Sequence, residues 1–138
     1  MIVLDTNVVA ELMRSAPDAT VIRWVDAQAD STLFLTTFTL AEIRYGIAAL
    51  PDGRRRTGLS VAFEDRIRPI FEDRILDFDE AASRAYAKIR TRMRAVGHAI
   101  GDLDALTAAV VIAHGARLAT RDVRAFAEAG ISVVDPWR

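Results

Sequence analysis

Ile2-Val3-Leu4-Asp5-Thr6-Asn7-Val8-Val9-Ala10-Glu11-Leu12-Met13 is the stretch on which the fold turns. Consecutive aliphatic residues, Ile2 and Val3 β-branched, favour an extended strand. From Asn7 onward the apolar spacing is helical rather than alternating. A strand that gives way at once to a helix, with an acidic residue at the join, is the opening of an α/β unit. The same order recurs down the chain. Leu33-Phe34-Leu35-Thr36 reads as a second strand, with Thr37 capping a helix from 38 to about 50 on which Leu40, Ile43 and Ile47 share a face. Before it, Asp18 caps a helix carrying Val21, Ile22, Trp24 and Val25. Residues 54–71 read as a helix broken near Pro69, and 74–78 as a weak third strand. Asp79 caps an Ala-rich helix to about 96. Residues 103–114 form a further helix, with Gly115 just past its end, 117–120 and 131–134 are strands, and 123–129 is a short helix between them. This alternation predicts a three-layer helix-sheet-helix sandwich around a short central parallel sheet.

A chain of 138 residues that is 51% hydrophobic can bury one sizeable core, so residues 1–138 are expected to form a single domain. Cysteine is absent, which rules out disulfides, thiolate metal sites and thiol nucleophiles and suits a reducing cytoplasm. The N-terminus meets Asp5 too soon for a secretory signal, and the most apolar run, 103–113, is well short of the ~20 residues that span a bilayer. The net charge of -1 gives no global attraction to nucleic acid. The positive charge is nevertheless almost all arginine, Lys88 being the only lysine, and it is clustered at Arg54-Arg55-Arg56, at Arg66 and Arg68, and from Arg84 to Arg94. Guanidinium groups bind phosphate bidentately, so these clusters can form a local basic rim as well as solvated helix faces.

In a parallel α/β sheet, ligands bind outside the carboxyl ends of the strands. Asp5 directly follows the first strand and Asp122 follows the strand ending near Thr120. Glu42 falls in the second turn of the helix after the second strand, and Asp104 in the first turn of the helix after Gly101. A parallel sheet lets all four converge on one edge. Two carboxylates ~4 Å apart repel by about 4 kcal/mol at an effective dielectric of ~20, so such a cluster calls for compensation. With no lysine nearby, a hard divalent cation supplies it most directly, and all-oxygen ligation selects Mg²⁺ or Mn²⁺ over zinc or copper. Sites of this kind suit phosphodiester hydrolysis without a protein nucleophile.

The stretches Val3-Leu-Asp-Thr-Asn-Val-Val-Ala-Glu-Leu12, Thr37-Phe-Thr-Leu-Ala-Glu-Ile-Arg-Tyr-Gly-Ile47, Asp104-Ala-Leu-Thr-Ala-Ala109 and Leu118-Ala-Thr-Arg-Asp-Val-Arg-Ala-Phe126 resemble the successive motifs of PIN-domain ribonucleases. The likeness spans essentially the full chain and is nearest to the VapC or FitB-like toxins of bacterial toxin-antitoxin pairs. It implies a metal-dependent endoribonuclease that inhibits translation or growth, with Asp5, Glu42, Asp104 and Asp122 as the metal-binding acids. Thr6 and Thr120 would be secondary polar contacts. The family often carries Asn where Asp122 stands, which adds a formal negative charge here. The resemblance further implies an RNA substrate, transfer RNA or ribosomal RNA. It also implies a homodimer and a small cognate antitoxin that inserts a peptide, often bearing an arginine, into the acidic pocket, with higher assembly of the pair.

Asp102 and Asp104 point to nearly opposite sides of one helix, so they should not share one metal unless the helix begins between them. By the resemblance, the Ala-Leu-Thr-Ala-Ala that follows favours Asp104 as the ligand, with Asp102 as an N-cap. His98, near Asp104 in sequence, is a candidate phosphate contact in the loop before Gly101. Asp5 also reads as an Asx turn onto Asn7, and Asp122 as a cap. One rival chemistry is phosphoryl transfer through an aspartyl intermediate at Asp5, but it needs a second acid two residues on, where Asn7 stands, and a neutralising lysine near the site. A non-catalytic module that holds metal or a basic partner is the reading from another class, and RNA cleavage in Mg²⁺ or Mn²⁺ separates it.

Overall fold

The computed structural model describes residues 1–138. Its strands are β1 (Ile2–Leu4), β2 (Leu33–Thr36), β3 (Ile75–Leu76), β4 (Arg117–Ala119) and β5 (Val133–Val134). They form one sheet in the order β3-β2-β1-β4-β5, and every pairing is parallel. The helices are α1 (Thr6–Leu12), α2 (Ala19–Asp26), α3 (Thr37–Ala48), α4 (Arg54–Val61), α5 (Arg68–Phe71), α6 (Glu80–Ala95), α7 (Asp102–Ala113) and α8 (Val123–Glu128). This is the helix-sheet-helix sandwich that the alternation of strand and helix predicts.

Alternation along the strands divides the interior in two. Val3 and Leu118 face one core with Ile89 and Met93 of α6, Ala105 and Val111 of α7, and Phe126 of α8. Their neighbours Leu4 and Ala119 face the other, with Val8 and Val9 of α1, Val21 of α2, Leu40 and Ile43 of α3, and Phe63. Successive strand residues point to opposite faces, so each three-residue strand still feeds both cores. Phe63 and Phe126 are fully buried and anchor one core each. Burying such a ring contributes about 1.5–3 kcal/mol.

Side-chain caps set the starts of α1, α2, α3 and α6. Asp18 accepts the Thr20 amide at 2.8 Å and Asp79 accepts the Ala82 amide at 2.9 Å, both as the sequence predicts. The cap of α3 is Thr36 rather than Thr37, because the Thr36 hydroxyl, buried at the end of β2, accepts the Thr39 amide at 3.1 Å. The expected break at Pro69 is also displaced. The chain passes from α4 through a π-helical segment at Ala62–Ile67 into α5 without leaving the helix. A wider turn just upstream takes up the clash that a proline ring makes with the carbonyl four residues before it. Gly115 ends the α7 region with φ 60, a left-handed conformation that glycine adopts without a Cβ penalty.

The chain order runs from β1 outward to β2 and β3 on one side, then returns past β1 to β4 and β5 on the other. The switch point therefore lies between β1 and β4, and the crevice at their carboxyl ends is where ligands bind in open α/β sheets.

Candidate active site

Asp5 sits at that crevice. Its amide continues the sheet by donating to the Ala119 carbonyl at 2.9 Å, while its side chain turns to cap α1 and accepts the Thr6 amide on Oδ1 at 2.9 Å. The neighbouring strand supplies the second anchor. Thr120, one residue past β4 and fully buried, donates its hydroxyl to Asp5 Oδ2 at 2.8 Å. Each carboxylate oxygen offers about two acceptor sites; Oδ2 also accepts the Asn7 side-chain amide at 3.4 Å, so Oδ1 is the oxygen that keeps capacity for a ligand.

Glu42, in the second turn of α3, is held through Thr6, whose hydroxyl donates to Oε1 at 2.7 Å. Thr6 thus touches both acids, one through its amide and one through its hydroxyl. Asp104 lies in the first turn of α7 and is half-buried. Asp122 occupies the N-cap position of α8, yet its carboxylate caps nothing, and it is exposed toward the other acids. Its amide donates instead to the Thr120 hydroxyl oxygen at 3.0 Å.

The acids act on one another. Burial pushes the Asp5 carboxyl above its ordinary range, and repulsion from Glu42 and Asp122 adds to it, while the Thr120 hydroxyl and the Thr6 amide pull it back. Burial likewise raises Asp104, with Asp5 and Asp122 adding repulsion. No basic side chain is among the groups acting on either. Among the rotamers in place, no set of three acids closes around a single ion. Mg²⁺ makes no such demand, since it commonly takes one or two carboxylates, several waters and the substrate phosphate. The all-oxygen donors, the free acceptor site on Asp5 and the uncompensated repulsion fit a hard dication.

Asn7 belongs to this network. Its amide donates to the Thr120 hydroxyl at 3.2 Å and lies 3.4 Å from Asp5 Oδ2, and its carbonyl oxygen accepts the Arg121 amide at 3.3 Å. It ties the end of β1 to the loop that carries Asp122. The sequence shows it only as a turn partner of Asp5. Arg90 of α6 ties down the loop and first residue of α7 that precede Asp104. It donates to the Ile100 carbonyl at 2.9 Å, pairs with Asp102, and lies 5.5 Å over the Tyr86 ring. Two expectations change here. Asp102 is the first residue of α7 rather than its cap, because Gly101 occupies the N-cap and Arg90 draws the carboxylate outward. His98 turns to Glu128 on α8, at 3.3 Å, and not toward the acids.

The sequence profile of the PIN domain matches residues 2–131. This chain belongs to the PIN domain family. Among curated PIN relatives, VapC ribonuclease Y4jK of Sinorhizobium fredii is 44% identical over 137 residues, 99% of this chain and 98% of that protein. Toxin FitB of Neisseria gonorrhoeae is 38% identical over 99% of each chain. Among solved structures, the crystal structure of FitAcB from Neisseria gonorrhoeae superposes with a TM-score of 0.94 at 38% identity, covering 100% of this chain and 99% of that one. A FitAB complex bound to a DNA fragment matches equally well, with a TM-score of 0.94. The PIN fold and its five-stranded parallel sheet are thus common to this chain and to toxins solved in toxin-antitoxin complexes. No helix of this PIN domain is long and apolar enough to cross a membrane.

Proposed function

We propose that this PIN domain, residues 1–138 acting as one unit, is a Mg²⁺- or Mn²⁺-dependent endoribonuclease and the toxin of a bacterial toxin-antitoxin pair. One observation carries the chemistry. Asp5, Glu42, Asp104 and Asp122 come from separate parts of the chain to the carboxyl edge of the sheet, and burial and mutual repulsion raise Asp5 and Asp104 with no basic side chain among the groups acting on them. The ribonuclease and toxin names of relatives that align end to end support the substrate class and the biological setting.

The bound dication would supply charge neutralisation at the scissile phosphate and activation of water. The chain supplies the geometry. Thr120 and Asn7 fix Oδ2 of Asp5 and the Thr6 amide fixes Oδ1, which keeps an acceptor site for a ligand. Thr6 fixes one oxygen of Glu42 and leaves the other free. Arg90 and the Gly101 start of α7 set the direction of Asp104. Asp122, unused as a cap, completes the acidic edge from the opposite wall. The same pocket would accept a basic side chain from a small antitoxin, which replaces the positive charge of the ion. The match to the FitAB and FitAcB structures supports that pairing, and a homodimer is part of the same reading. The aspartyl-intermediate chemistry gains no support, since Asn7 is bonded into the network and Lys88 lies on α6.

Purified protein freed of any antitoxin should cleave structured RNA with Mg²⁺ or Mn²⁺ and stop in EDTA. Asp5→Ala and Asp104→Ala should each abolish cleavage with the circular dichroism unchanged. Cleavage that persists in both variants refutes the assignment.

A further inference from the structure

A cleft of about 730 Å³ opens from the acidic edge between α1, α3 and α4. That is an ordinary size for a ligand cleft, about 300–1,000 Å³. Thr6 and Glu42 line its inner end, and Arg54 and Arg55, at the start of α4, line its outer rim. Both arginines are exposed and neither makes a salt bridge or a side-chain hydrogen bond. The cleft's remaining arginine, Arg14, and two arginines outside its lining are used. Arg14 pairs with Glu11 and Arg56 with Asp52, and Arg44 pairs with Glu64.

A second observation points to a ligand that comes close. Gly46, within α3, and Gly58, within α4, both line the cleft. A Cβ at either would meet nothing within 4 Å, and neither has a positive φ. Nothing in the protein itself requires glycine there, and a helix interior disfavours it relative to alanine. Bare backbone at both walls of a cleft serves the close approach of something outside the chain.

We propose that this cleft carries the RNA strand beside the scissile bond, with Arg54 and Arg55 each holding one backbone phosphate. The inference rests on the ribonuclease reading, since the phosphates flanking a bond cut at Glu42 must leave the acidic edge. The cleft is the path that begins at Glu42 and ends in unpaired guanidinium groups, which match phosphate in charge and in bidentate geometry. An acidic edge repels the backbone, so attraction by Arg54 and Arg55 in the same cleft also decides on which side of the acids the strand lies.

Each phosphate contact on single-stranded nucleic acid steepens log K against log salt by about 0.7, so losing two flattens the slope by about 1.4. Over a fourfold rise in salt the wild type should then lose about sevenfold more affinity than Arg54→Gln/Arg55→Gln, from four to the power ~1.4. The measurement is fluorescence anisotropy of a short labelled single-stranded RNA of mixed sequence, in EDTA so that no cleavage occurs. The control is Arg84→Gln/Arg94→Gln on α6, with the same change in net charge on the opposite face of the sheet. The proposal predicts a flattened slope for the first variant and the wild-type slope for the control. Equal slopes for all three proteins overturn it and leave the cleft to a protein segment. Equal flattening in both variants also overturns it, because net charge alone would then explain the effect. Wild-type cleavage in Mg²⁺ or Mn²⁺ is scored separately. A flattened slope without cleavage removes the ribonuclease reading but keeps an RNA surface, and cleavage with an unaltered slope removes only the cleft assignment.

Discussion

Replacing Thr120 by valine tests how the acidic edge is held together. Valine keeps the shape of threonine and removes one hydroxyl, which here donates to Asp5 Oδ2 at 2.8 Å and accepts from the Asp122 and Asn7 nitrogens at 3.0 and 3.2 Å. Asp122 is exposed and water can replace its lost partner, whereas Asp5 is only 7% exposed and its carboxylate cannot be rehydrated without opening the crevice. The loss is therefore dominated by one hydrogen bond to a charged group, worth about 1.5–3 kcal/mol. Urea denaturation at neutral pH should show the unfolding free energy falling by that amount, as a lower midpoint at unchanged slope. Thr120→Ser, which keeps the hydroxyl, should lose far less. If the bond is the cause, Asp5→Asn combined with Thr120→Val should be non-additive, with a coupling of at least about 1 kcal/mol. A valine variant within about 0.5 kcal/mol of wild type, the scatter of ordinary surface changes, would refute the reasoning. So would strictly additive double-variant energies.

Asp104→Asn bears on pH. Burial and acidic neighbours hold the Asp5 and Asp104 carboxyls above 3.8 in the folded state, so without metal the native protein binds more protons than the unfolded chain. The stability they contribute is complete below 3.8 and declines as pH rises through their folded values. In EDTA, Asp104→Asn should gain on wild type as pH rises through that window, and Mg²⁺ should cancel the gain. A difference in urea midpoint that does not vary with pH contradicts this. Arg90→Met should cost about 1–2 kcal/mol of stability, from one hydrogen bond and one partly exposed ion pair. It should slow cleavage up to about 100-fold, since small misplacements of a reacting geometry cost that much. Cleavage reduced no more than tenfold in a folded Arg90→Met protein would remove its positioning role. Gly58→Ala should stabilise the protein by about 0.5–1 kcal/mol while weakening RNA binding, and unchanged affinity by anisotropy would separate the glycine from the substrate path.

Features encoded within a few residues were readable from the chain. The bounds of β1 and β2, the caps Asp18 and Asp79, and the glycine after α7 all depend on local chemistry, and the structure matches them. The four acids could be placed on one edge because each stands at a fixed offset from a strand, and a parallel sheet aligns strand ends. What escaped depends on contacts between distant residues. Thr36 and Thr37 are equal as caps in sequence, and only the buried end of β2 selects Thr36. The Arg90 pair with Asp102 joins two helices across a loop and has no sequence signature, so Asp102 looked like a cap. Asn7 meets Thr120 across 113 positions, and only the adjacency of β1 and β4 reveals it. The π-helical turn before Pro69 contains fully buried Phe63, and a proline in sequence does not say whether the helix widens or breaks there.

The two walls of the acidic crevice differ in how much they can yield. α7 is buried over nearly every position from Ala105 to Val111, so Asp104 rides on an element that cannot shift without disturbing a whole core. Facing it, Asp122 heads a six-residue helix that buries only Phe126. The first wall behaves as an anvil and the second as a hinged jaw. Thr120 and Arg121 are pinned to Asp5 and Asn7, so the give on this side lies beyond Asp122, in α8. Diversification of target choice among close relatives, or its redesign in the laboratory, should accordingly concentrate on the jaw and leave the anvil untouched.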